Sequence, residues 1–298
     1  MENKVITVVI TTYGRDRDML ERCVNSVLNQ SFKDFELIVV DDNPPEKQAE
    51  LKLDEYLGSL GDERVRYIPH EKNMGACAAR NTGIAASKGE YVSFLDDDDE
   101  YLSDKLKVQY EALKDSDAGM VISDYAVKND KSGEVVHVRL PYDQKNLRWL
   151  LICKNKVATP NPLIRRECFE ACGPFDENMP SAQDVEMWMR VTEQYKTVIL
   201  HKEVYIQHVH GGERITTANR RNKLIGNERL IEKNLEFLKK NKRAYSRLMF
   251  TQERRCLQLK DYKGAGKRYL KGVSLFPLHI FRYTAKSIFW LVKYNLRG

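Results

Sequence analysis

Four consecutive aspartates, Asp96–Asp99, directly follow the apolar run Glu90–Leu95. Four like charges this close together raise the free energy of the fold unless a cation offsets them. Divalent cations such as Mg²⁺ and Mn²⁺ prefer oxygen ligands and usually bind through one or two carboxylates together with phosphate oxygens of a substrate. The run therefore predicts a site for Mn²⁺ or Mg²⁺, although a solvated acidic turn or the first turn of a helix would use the same residues.

Two further polar segments are suited to binding parts of a nucleotide. Asp41 ends another apolar run, and its carboxylate could accept hydrogen bonds from a ribose or a base edge; an ordinary Asx turn would use it equally well. Asn73, Gly75 and Arg80 lie at the predicted start of a helix, where backbone N–H groups and a guanidinium can face phosphate. Close packing of a helix on a sheet would also need small residues there, so this segment alone is a weak indication.

These polar residues follow the strands of a β–α alternation. The apolar runs and the helical spacing between them predict, in order, a strand at Val5–Ile10, a helix at Met19–Leu28, a strand at Phe35–Val40, a helix at Gln48–Leu60, a strand at Val65–Ile68, a helix at Ala76–Ser87 and a strand at Glu90–Leu95. Short buried strands separated by helices are typical of a parallel, doubly wound sheet. In such a sheet the carboxyl ends of the strands share one edge, so the polar segments should form one cleft.

The second half of the chain has a more mixed pattern. We expect a strand at Gly119–Ser123, a hairpin turn at Lys128–Glu134 and a helix at Val185–Gln194. From about Asn219 onward the pattern is helical and heavily charged. Within it, Leu248–Leu270 resembles one helical hairpin of the tetratricopeptide kind, and a single copy does not make a repeat array.

The composition excludes several classes of protein. With 298 residues, 42% hydrophobic and 31% charged, the chain is typical of a soluble globular protein rather than a disordered or fibrous one. Its longest apolar-rich runs are far shorter than the roughly 20 residues that cross a bilayer. Six cysteines without a Cys-x-x-Cys pair suggest neither a zinc site nor a disulfide framework. The N-terminus shows no charged-then-apolar leader, so we expect a cytoplasmic protein.

The net charge of +6 is unevenly distributed, because Tyr262–Gly298 contains eight Lys or Arg and no Asp or Glu. This end of the chain therefore favours an anionic partner such as a membrane surface, a nucleic acid or a charged glycan. Aromatic and aliphatic residues alternate with the cations, as in helices that lie on anionic lipid, and such a helix would place the protein at the inner face of the membrane. A helix packed on the rest of the protein with a solvated basic side would show the same pattern.

Seven short motifs agree with one known family in both order and spacing over roughly residues 4–215. They are Val8–Arg15, Ser26–Ser31, Glu36–Asp42, Asn73–Gly83, Asp96–Asp99, Gly173–Glu177 and Gln183–Arg190. In these motifs the sequence resembles the family-2 glycosyltransferases, which have the GT-A fold. The resemblance implies an α/β fold with a Rossmann-like, mostly parallel sheet flanked by helices, a transferase domain at 1–217 and a basic helical region at 218–298.

The same resemblance implies the reaction. An inverting, metal-dependent glycosyltransferase would move a sugar from a nucleotide-diphosphate donor, a UDP-sugar, to a hydroxyl of a glycan or a lipid-linked glycan. A divalent metal would stabilise the departing diphosphate as a Lewis acid, and one carboxylate would accept the proton of the acceptor hydroxyl. Attack from the face opposite the leaving group gives inversion.

Roles for individual residues follow from the same motifs. Thr11, Tyr13 and Asp41 would line the base and ribose, while Asp96 and Asp98 match the Asp-x-Asp motif, with Asp98 as the direct metal ligand. Further expected contacts to the nucleotide sugar are Arg15, Asn73, Gly75, Arg80 and Asp97.

The catalytic base would be Asp184, at the second position of the family's Glu-Asp pair; a simple helix N-cap is the alternative. Gln183 replaces the usual Glu at the first position, which leaves the acceptor contact of that position in doubt. His210 lies near the position where many relatives place a histidine beside the metal, and His208 is a rival for that role.

Candidates for contacting an acceptor sugar are Trp188, Trp149 and the loop Thr159–Pro162, although a Trp one turn along a helix from Asp184 more often belongs to a core. Two other functions compete with sugar transfer. A nucleotidyltransferase has a similar sheet and similar metal carboxylates, but only one glycine lies near the end of the first strand. A nucleic-acid or membrane binding module would use the basic end alone; four aspartates in the main cleft argue against nucleic acid as a partner.

Overall fold

The computed structural model describes residues 5–141, 143–154, 156–210 and 219–295 of the chain. Nine strands in this part of the chain form one sheet. They are β1 (Ile6–Thr12), β2 (Phe35–Asp41), β3 (Val65–Pro69), β4 (Tyr91–Asp96), β5 (Glu100–Tyr101), β6 (Ala118–Asn129), β7 (Val135–Val138), β8 (Leu163–Arg165) and β9 (Lys196–Val209).

The sheet has a parallel half and a mixed half. Strands β3, β2, β1 and β4 lie side by side in parallel, which confirms the predicted doubly wound arrangement. β8 then runs antiparallel to both β4 and β6, and β6 pairs in parallel with β9. β5 adds to β9 and β7 adds to β6, both antiparallel.

The continuous apolar runs of β1 and β2 follow from burial on both faces. Ile6, Val8, Val9 and Ile10 have no solvent exposure, and the same is true of Phe35 and of the residues from Leu37 to Val40. A strand covered on both faces has no outward polar position, so it loses the alternation of an exposed strand.

Thirteen helices occur in the described residues. They are α1 (Arg17–Leu28), α2 (Pro45–Leu51), α3 (Leu53–Ser59), α4 (Ala76–Ala86), α5 (Lys105–Leu113), α6 (Leu147–Lys154), α7 (Glu167–Cys172), α8 (Gln183–Gln194), α9 (Arg220–Lys233), α10 (Leu235–Lys239), α11 (Lys242–Gln258), α12 (Tyr262–Leu275) and α13 (His279–Asn295).

The predicted helix Gln48–Leu60 is two helices in the structure. Pro45 occupies the first position of α2, where its missing N–H costs nothing, so the helix begins three residues earlier than predicted. Lys52 then adopts the left-handed conformation with φ 48° and separates α2 from α3.

Two predictions for the second half of the chain, a strand and a hairpin turn, are confirmed. The predicted strand Gly119–Ser123 is part of β6, and Lys128–Glu134 forms the connection between β6 and β7. β9 has no counterpart among the sequence predictions. Its residues alternate irregularly between buried and exposed, so it contains no apolar run of the kind that indicates a buried strand.

Contacts divide the chain into two compact units. The first contains the described residues among 1–151, 155–177 and 187–211, and the second those among 152–154, 178–186 and 212–298. The whole sheet belongs to the first unit. The predicted boundary between residues 217 and 218 lies outside the described residues.

The second unit contains the helical hairpin that the sequence indicates. The short segment Leu259–Asp261 joins α11 to α12, and Asp261 caps α12 by accepting a hydrogen bond from Gly264 N (2.8 Å). Ser246 near the start of α11 donates to Gly272 O near the end of α12 (2.6 Å), so the two helices are antiparallel.

Candidate active site at the carboxyl edge of the sheet

The strand register brings the polar ends of β1, β2 and β4 together. Thr11 pairs with Asp96 of β4, and Thr12 pairs with Asp41 of β2. Since all three strands run in the same direction, the loops that follow them start from one edge. This is the predicted cleft, and most of the expected nucleotide contacts lie on its loops.

Asp97 and Asp98 contact the guanidinium of Arg15. Arg15 Nε donates to Asp97 Oδ1 (3.1 Å) and an Arg15 terminal nitrogen donates to Asp98 Oδ2 (2.8 Å). The side chains of Asp97 and Asp98 are about one-tenth exposed, so the pairs are largely removed from water. A second guanidinium, that of Arg22, donates to the backbone oxygen of Asp98 (2.7 Å) and fixes the turn.

Burial raises the pKa of two carboxyl groups in the acidic run. Burial raises the pKa of Asp97 to about 7, with Arg15 opposing the rise and the charge of Asp98 adding to it. Burial also raises the pKa of Asp96, against the neighbouring Arg80. The edge therefore disfavours further negative charge and favours an added cation, as the sequence predicts for a metal and diphosphate site.

The loop Tyr13–Arg15 is fixed from both sides. Tyr13 N donates to Asp97 Oδ2 (3.3 Å), and Gly14 N donates to Asn43 Oδ1 (2.7 Å). Gly14 has φ +66°, a conformation that other residues rarely adopt. The ring of Tyr13 remains half exposed, so it is available to a ligand.

Asp41 is fully buried, and both of its oxygens are used within the fold. Oδ1 accepts from Asn43 N (3.0 Å) and Asn43 Nδ2 (2.7 Å), and Oδ2 accepts from the hydroxyl of Tyr67 (2.7 Å). Burial, reinforced by this bond, raises the pKa of Tyr67. In this structure Asp41 therefore positions the loop that holds Gly14, and Asn43 and Tyr67 are partners that the sequence did not reveal.

Asp42 has a similar tying role for the segment after β3. Its Oδ1 accepts from Met74 N (2.7 Å), its Oδ2 accepts from Gly75 N (2.8 Å), and Nδ1 of His70 lies 2.8 Å from Oδ1. The N–H of Gly75 thus faces Asp42, contrary to the sequence-based idea that it faces a phosphate. Asn73 is exposed on the same segment.

Arg80 also bonds within the edge. It donates to Asp96 Oδ1 (3.3 Å), and its guanidinium carbon lies 5.6 Å from the ring centroid of Phe175. The residue is 8% exposed, so it sits beneath the acidic run rather than at the start of a solvent-facing helix. In this structure Arg80 moderates the charge of Asp96.

The two histidines at the end of β9 have different partners. His210 Nε2 lies 2.8 Å from Asp98 Oδ2, whereas His208 Nδ1 lies 2.6 Å from Asp130 Oδ1 and its Nε2 lies 3.4 Å from Glu100. His208 is almost fully buried in those contacts. Of the two sequence candidates, His210 is the one that lies beside Asp98.

The donor atoms around Asp98 suit a divalent ion that shares its ligands with a substrate. In the described ranges, no group of three or more His, Cys, Asp or Glu side chains could hold a metal ion. Asp98 and His210 provide one carboxylate and one imidazole, and Mn²⁺ accepts both. An ion held in this way would take its other ligands from phosphate oxygens and water.

Asp184 and Gln183 belong to the second unit. They are the second and first residues of α8, so Asp184 lies inside the first turn and is not the N-cap. Asp184 Oδ1 accepts from Val185 N (2.8 Å), and Gln183 Nε2 donates to Met179 O (2.9 Å). Both side chains are thus locally oriented at the start of a helix, where the dipole favours a carboxylate.

Trp188 and the loop Thr159–Pro162 lie in the core, which for Trp188 is the favoured interpretation of its sequence position. Trp188 is fully buried, its Nε1 donates to Val157 O (3.0 Å), and its ring packs edge-on against Phe175. Asn161 in the loop is also fully buried and bonds the backbone of Ser123. Both are parts of the core. Trp149, in α6, is only partly buried.

A comparison with protein families gives a match over most of the first unit. Residues 7–173 match the model of glycosyl transferase family 2. The putative colanic acid biosynthesis glycosyl transferase WcaA of Escherichia coli is 28% identical over 224 residues, which cover 73% of this chain and 77% of WcaA.

Two solved structures share the fold. TarS 1–349 of Staphylococcus aureus in complex with UDP-GlcNAc aligns with a TM-score of 0.62 and 15% identity, over 90% of this chain and 89% of that one. The mannosyltransferase PcManGT of Pyrobaculum calidifontis in complex with GDP-Man and Mn²⁺ aligns with a TM-score of 0.63 and 16% identity, over 99% and 83%. At these identities the likeness establishes the GT-A fold.

Proposed function

The chain belongs to glycosyl transferase family 2, and we propose that it is an inverting glycosyltransferase with a nucleotide-sugar donor bound at the carboxyl edge of the sheet. One observation carries the proposal. Asp98 and His210, which are far apart in sequence, meet beside Arg15 at the ends of the parallel strands. The family match covers Arg15 and Asp98 and ends before His210.

The proposed donor is a UDP-sugar. TarS was solved with UDP-GlcNAc and PcManGT with GDP-Man, so both kinds of nucleotide sugar occur among structures of this fold. The half-exposed ring of Tyr13, with Thr11 beside it, is our candidate surface for the base and ribose. Asp41 would act there by positioning the loop, because its carboxylate has partners in the fold.

The proposed cofactor is Mn²⁺ or Mg²⁺, bound through Asp98 with help from His210. Bound there, the ion would supply Lewis-acid stabilisation of the leaving diphosphate. Arg15 is the cation that Asp98 contacts in the structure, and its guanidinium can turn towards phosphate oxygens in a bidentate manner. Arg15 would then bind the diphosphate and keep it in line for departure.

Asp184 is our candidate for the base. It would accept the proton of the acceptor hydroxyl while the hydroxyl oxygen bonds to the anomeric carbon and the bond from that carbon to the diphosphate breaks. The nucleoside diphosphate leaves from the opposite face, which inverts the anomeric configuration. The proposed acceptor is a glycan or a lipid-linked saccharide, and the proposed location is the cytoplasm.

A donor screen tests the proposal directly. UDP- and GDP-sugars are added singly to the full chain with Mn²⁺, with Mg²⁺ and without metal, and the thermal unfolding midpoint is measured. We expect one UDP-sugar to stabilise the protein only when a divalent ion is present, since the ion and diphosphate bind together. Asp98→Asn should remove this shift, whereas Asp115→Asn, at an exposed position, should keep it. Stabilisation that is equal without metal would contradict the proposed cofactor.

The base is tested with the donor that the screen identifies. Hydrolysis or transfer by Asp184→Asn should fall by about 10²–10⁴-fold, because that is the usual contribution of a positioned base and the amide cannot replace it. Its thermal shift with donor should be unchanged. Glu193→Gln, at an exposed position of the same helix, is the control. Full activity in Asp184→Asn would remove this residue from the mechanism.

A further inference from the structure

Helix α13 has two faces that are rich in apolar side chains. The first, which we call the inner face, packs against α11: the ring of Tyr283 stacks on Phe250 with centroids 4.3 Å apart, and His279 Nδ1 lies 2.7 Å from Ser246 Oγ. At its other end Tyr294 accepts a hydrogen bond from Gln258 (2.7 Å). Trp290 packs against the buried cluster that contains Cys256, and together these contacts account for the spacing 279, 283, 290 and 294, which follows one side of a helix.

The opposite face is exposed and apolar. Phe281, Ile288 and Val292 are 84%, 57% and 49% exposed, and with the exposed Ala285 they are spaced by four, three and four residues. This spacing places them in one row, which we call the outer row, on the side away from Tyr283. Because a packed helix needs only one apolar face, the outer row indicates a second binding surface.

A row of cations lies on the flank of α13 between the outer row and the inner face. Arg282, Lys286 and Lys293 are spaced by four and seven residues and therefore share a side of the helix. Lys293 Nζ lies 4.8 Å from the ring centroid of Trp290, and Lys286 Nζ lies 5.6 Å from that of Tyr283, so both cations are held near the helix surface. Neither α13 nor α12 contains an Asp or a Glu.

We propose that α13 binds an anionic lipid surface. The side chains of the outer row would lie at the boundary between headgroups and acyl chains, and the cationic row would lie at the level of the headgroups. An interfacial helix buries apolar side chains and keeps Lys and Arg at the level of the headgroups. In the described part of the chain no helix has the length and apolar character to span a bilayer, so α13 would lie in the plane of the surface.

Charge disfavours a second copy as the occupant. In a two-fold dimer through the outer row, the cationic row of one copy would lie close to that of the other, and no acidic residue of α12 or α13 could pair with it. A nucleic acid would match the cations but would leave Phe281, Ile288 and Val292 unburied. Anionic lipid is the partner that complements both rows.

Flotation with vesicles tests this surface and needs no nucleotide sugar, so its outcome is independent of the proposed reaction. The full chain should float with vesicles of phosphatidylcholine mixed with phosphatidylglycerol, and not with phosphatidylcholine alone. High salt should weaken the binding. The double variant Phe281→Ser/Ile288→Ser should bind at least about tenfold more weakly, and neutralising all three cations to Gln about a hundredfold more weakly, at roughly fivefold for each charge.

The matched control is Val135→Ser/Val136→Ser, which removes two comparably exposed apolar residues from β7 in the first unit and should leave flotation unchanged. Phe281→Trp gives a second readout that does not depend on loss of a side chain. With anionic vesicles only, the fluorescence emission of the introduced tryptophan should shift to the blue, and lipids with brominated acyl chains should quench it. The proposal would be overturned by any of three results. These are no flotation at all, flotation that the Phe281→Ser/Ile288→Ser change leaves unaltered, and a dimer that this change abolishes.

Discussion

The carboxylates at the sheet edge fall into two groups according to their partners. Asp41 and Asp42 accept hydrogen bonds from donors within the fold, and these bonds hold the loops in place. Asp97 and Asp98 instead contact the guanidinium of Arg15 and, for Asp98, the imidazole of His210. The side chains of Arg15 and His210 can change rotamer when a ligand arrives, so the second group is the one suited to exchange partners during binding.

Asp42 should act on the donor through the segment it holds. Asp42→Asn replaces one acceptor oxygen with an amide, and the N–H of Gly75 or Met74 loses its partner. We expect KM for the donor to rise about tenfold with a small change in kcat, because a misplaced loop costs binding geometry, and stability to fall by about 1–3 kcal/mol. Steady-state kinetics with varied donor and urea unfolding measure the two effects.

Asp54→Asn, at an exposed position of α3, is the control for this variant. A collapse of kcat at unchanged KM would mean that Asp42 acts on the reacting atoms and not on the loop.

For individual residues of the candidate site, the sequence indicated which side chains lie at the sheet edge better than it indicated what each one contacts. The proximity of Asp98 and His210 agrees with the family motif, since both were assigned to the metal. Arg80 and Gly75 were expected to face phosphate, but Asp96 and Asp42 accept their hydrogen bonds. The difference arises because a buried donor or acceptor must find a partner, and the nearest partner is set by three-dimensional packing that linear spacing does not contain.

The packing of α4 on β1 depends on a small side chain. A Cβ added at Gly83 would overlap the methyl carbons of Val9, whereas one added at Gly58 in α3 would meet nothing within 4 Å. The close-packing interpretation of the small residues in Asn73–Gly83 is therefore correct for Gly83. The glycine lets the helix approach the central strand that leads into the site.

Gly83→Ala and Gly58→Ala form a matched pair. The first should destabilise the protein by about 1–3 kcal/mol through overpacking, and the second should stabilise it by up to about 1 kcal/mol because alanine favours a helix. Chemical denaturation of both variants measures the difference. If the two substitutions had the same sign, the helix would not approach β1 as closely as the structure shows.

Helix α5 carries a lysine in the core. Lys105 is 1% exposed, and its Nζ donates to Gln109 Oε1 (2.5 Å) and Asn161 O (3.1 Å). Burial lowers its pKa well below 10.5. Since the charged form is disfavoured only in the folded state, the folded protein gains stability relative to the unfolded chain as pH rises from the lowered pKa towards 10.5.

Lys105→Met removes this titration. The free energy of unfolding of the unmodified chain should therefore rise relative to that of Lys105→Met between neutral and alkaline pH, as measured by urea unfolding at several pH values. For Lys107→Met, on the exposed side of the same helix, the free energy of unfolding should change with pH as it does in the unmodified chain. A difference that stays constant with pH would show that Lys105 keeps its charge in the fold.

Sequence patterns predicted β1, β2 and β4 because these strands are buried on both faces and stand out as apolar runs. β9 was missed although it is the longest strand described, because its 14 residues mix charged and apolar side chains. Its position beside β6, with irregular register near Ser123 and Asp124, is fixed by tertiary pairing. A strand of this kind has a weak local signal, since partners distant in sequence determine it.

At the scale of the whole chain, two compact units have separate cores. The first is organised around the sheet, and the second around α11 to α13, with Cys256, Leu257 and Ala265 in its buried cluster. Phe250 is central to the second unit, since it packs against both Tyr269 and Tyr283. A destabilising substitution in one core should therefore increase local unfolding in that unit before it affects the other unit.

Phe250→Ala should cost about 3–5 kcal/mol in the second unit, as for other buried aromatic residues. Hydrogen exchange followed by mass spectrometry should show faster exchange in peptides of α11, α12 and α13. Peptides of β1, β2 and β4 should exchange as before. An equal increase in both sets of peptides would mean that the two units open as one.

The bonds of Asp42 also have a consequence for the order in which the protein is made. They connect it to residues 28, 32 and 33 positions later in the chain. In a nascent chain, the hydrogen bonds between Asp42 and this segment therefore cannot form until Gly75 has left the ribosome, even though β1 and β2 have already emerged. Closing so long a segment carries an entropic cost that strand pairing must first offset. This part of the sheet edge is thus completed only after β1, β2 and β3 have been synthesised.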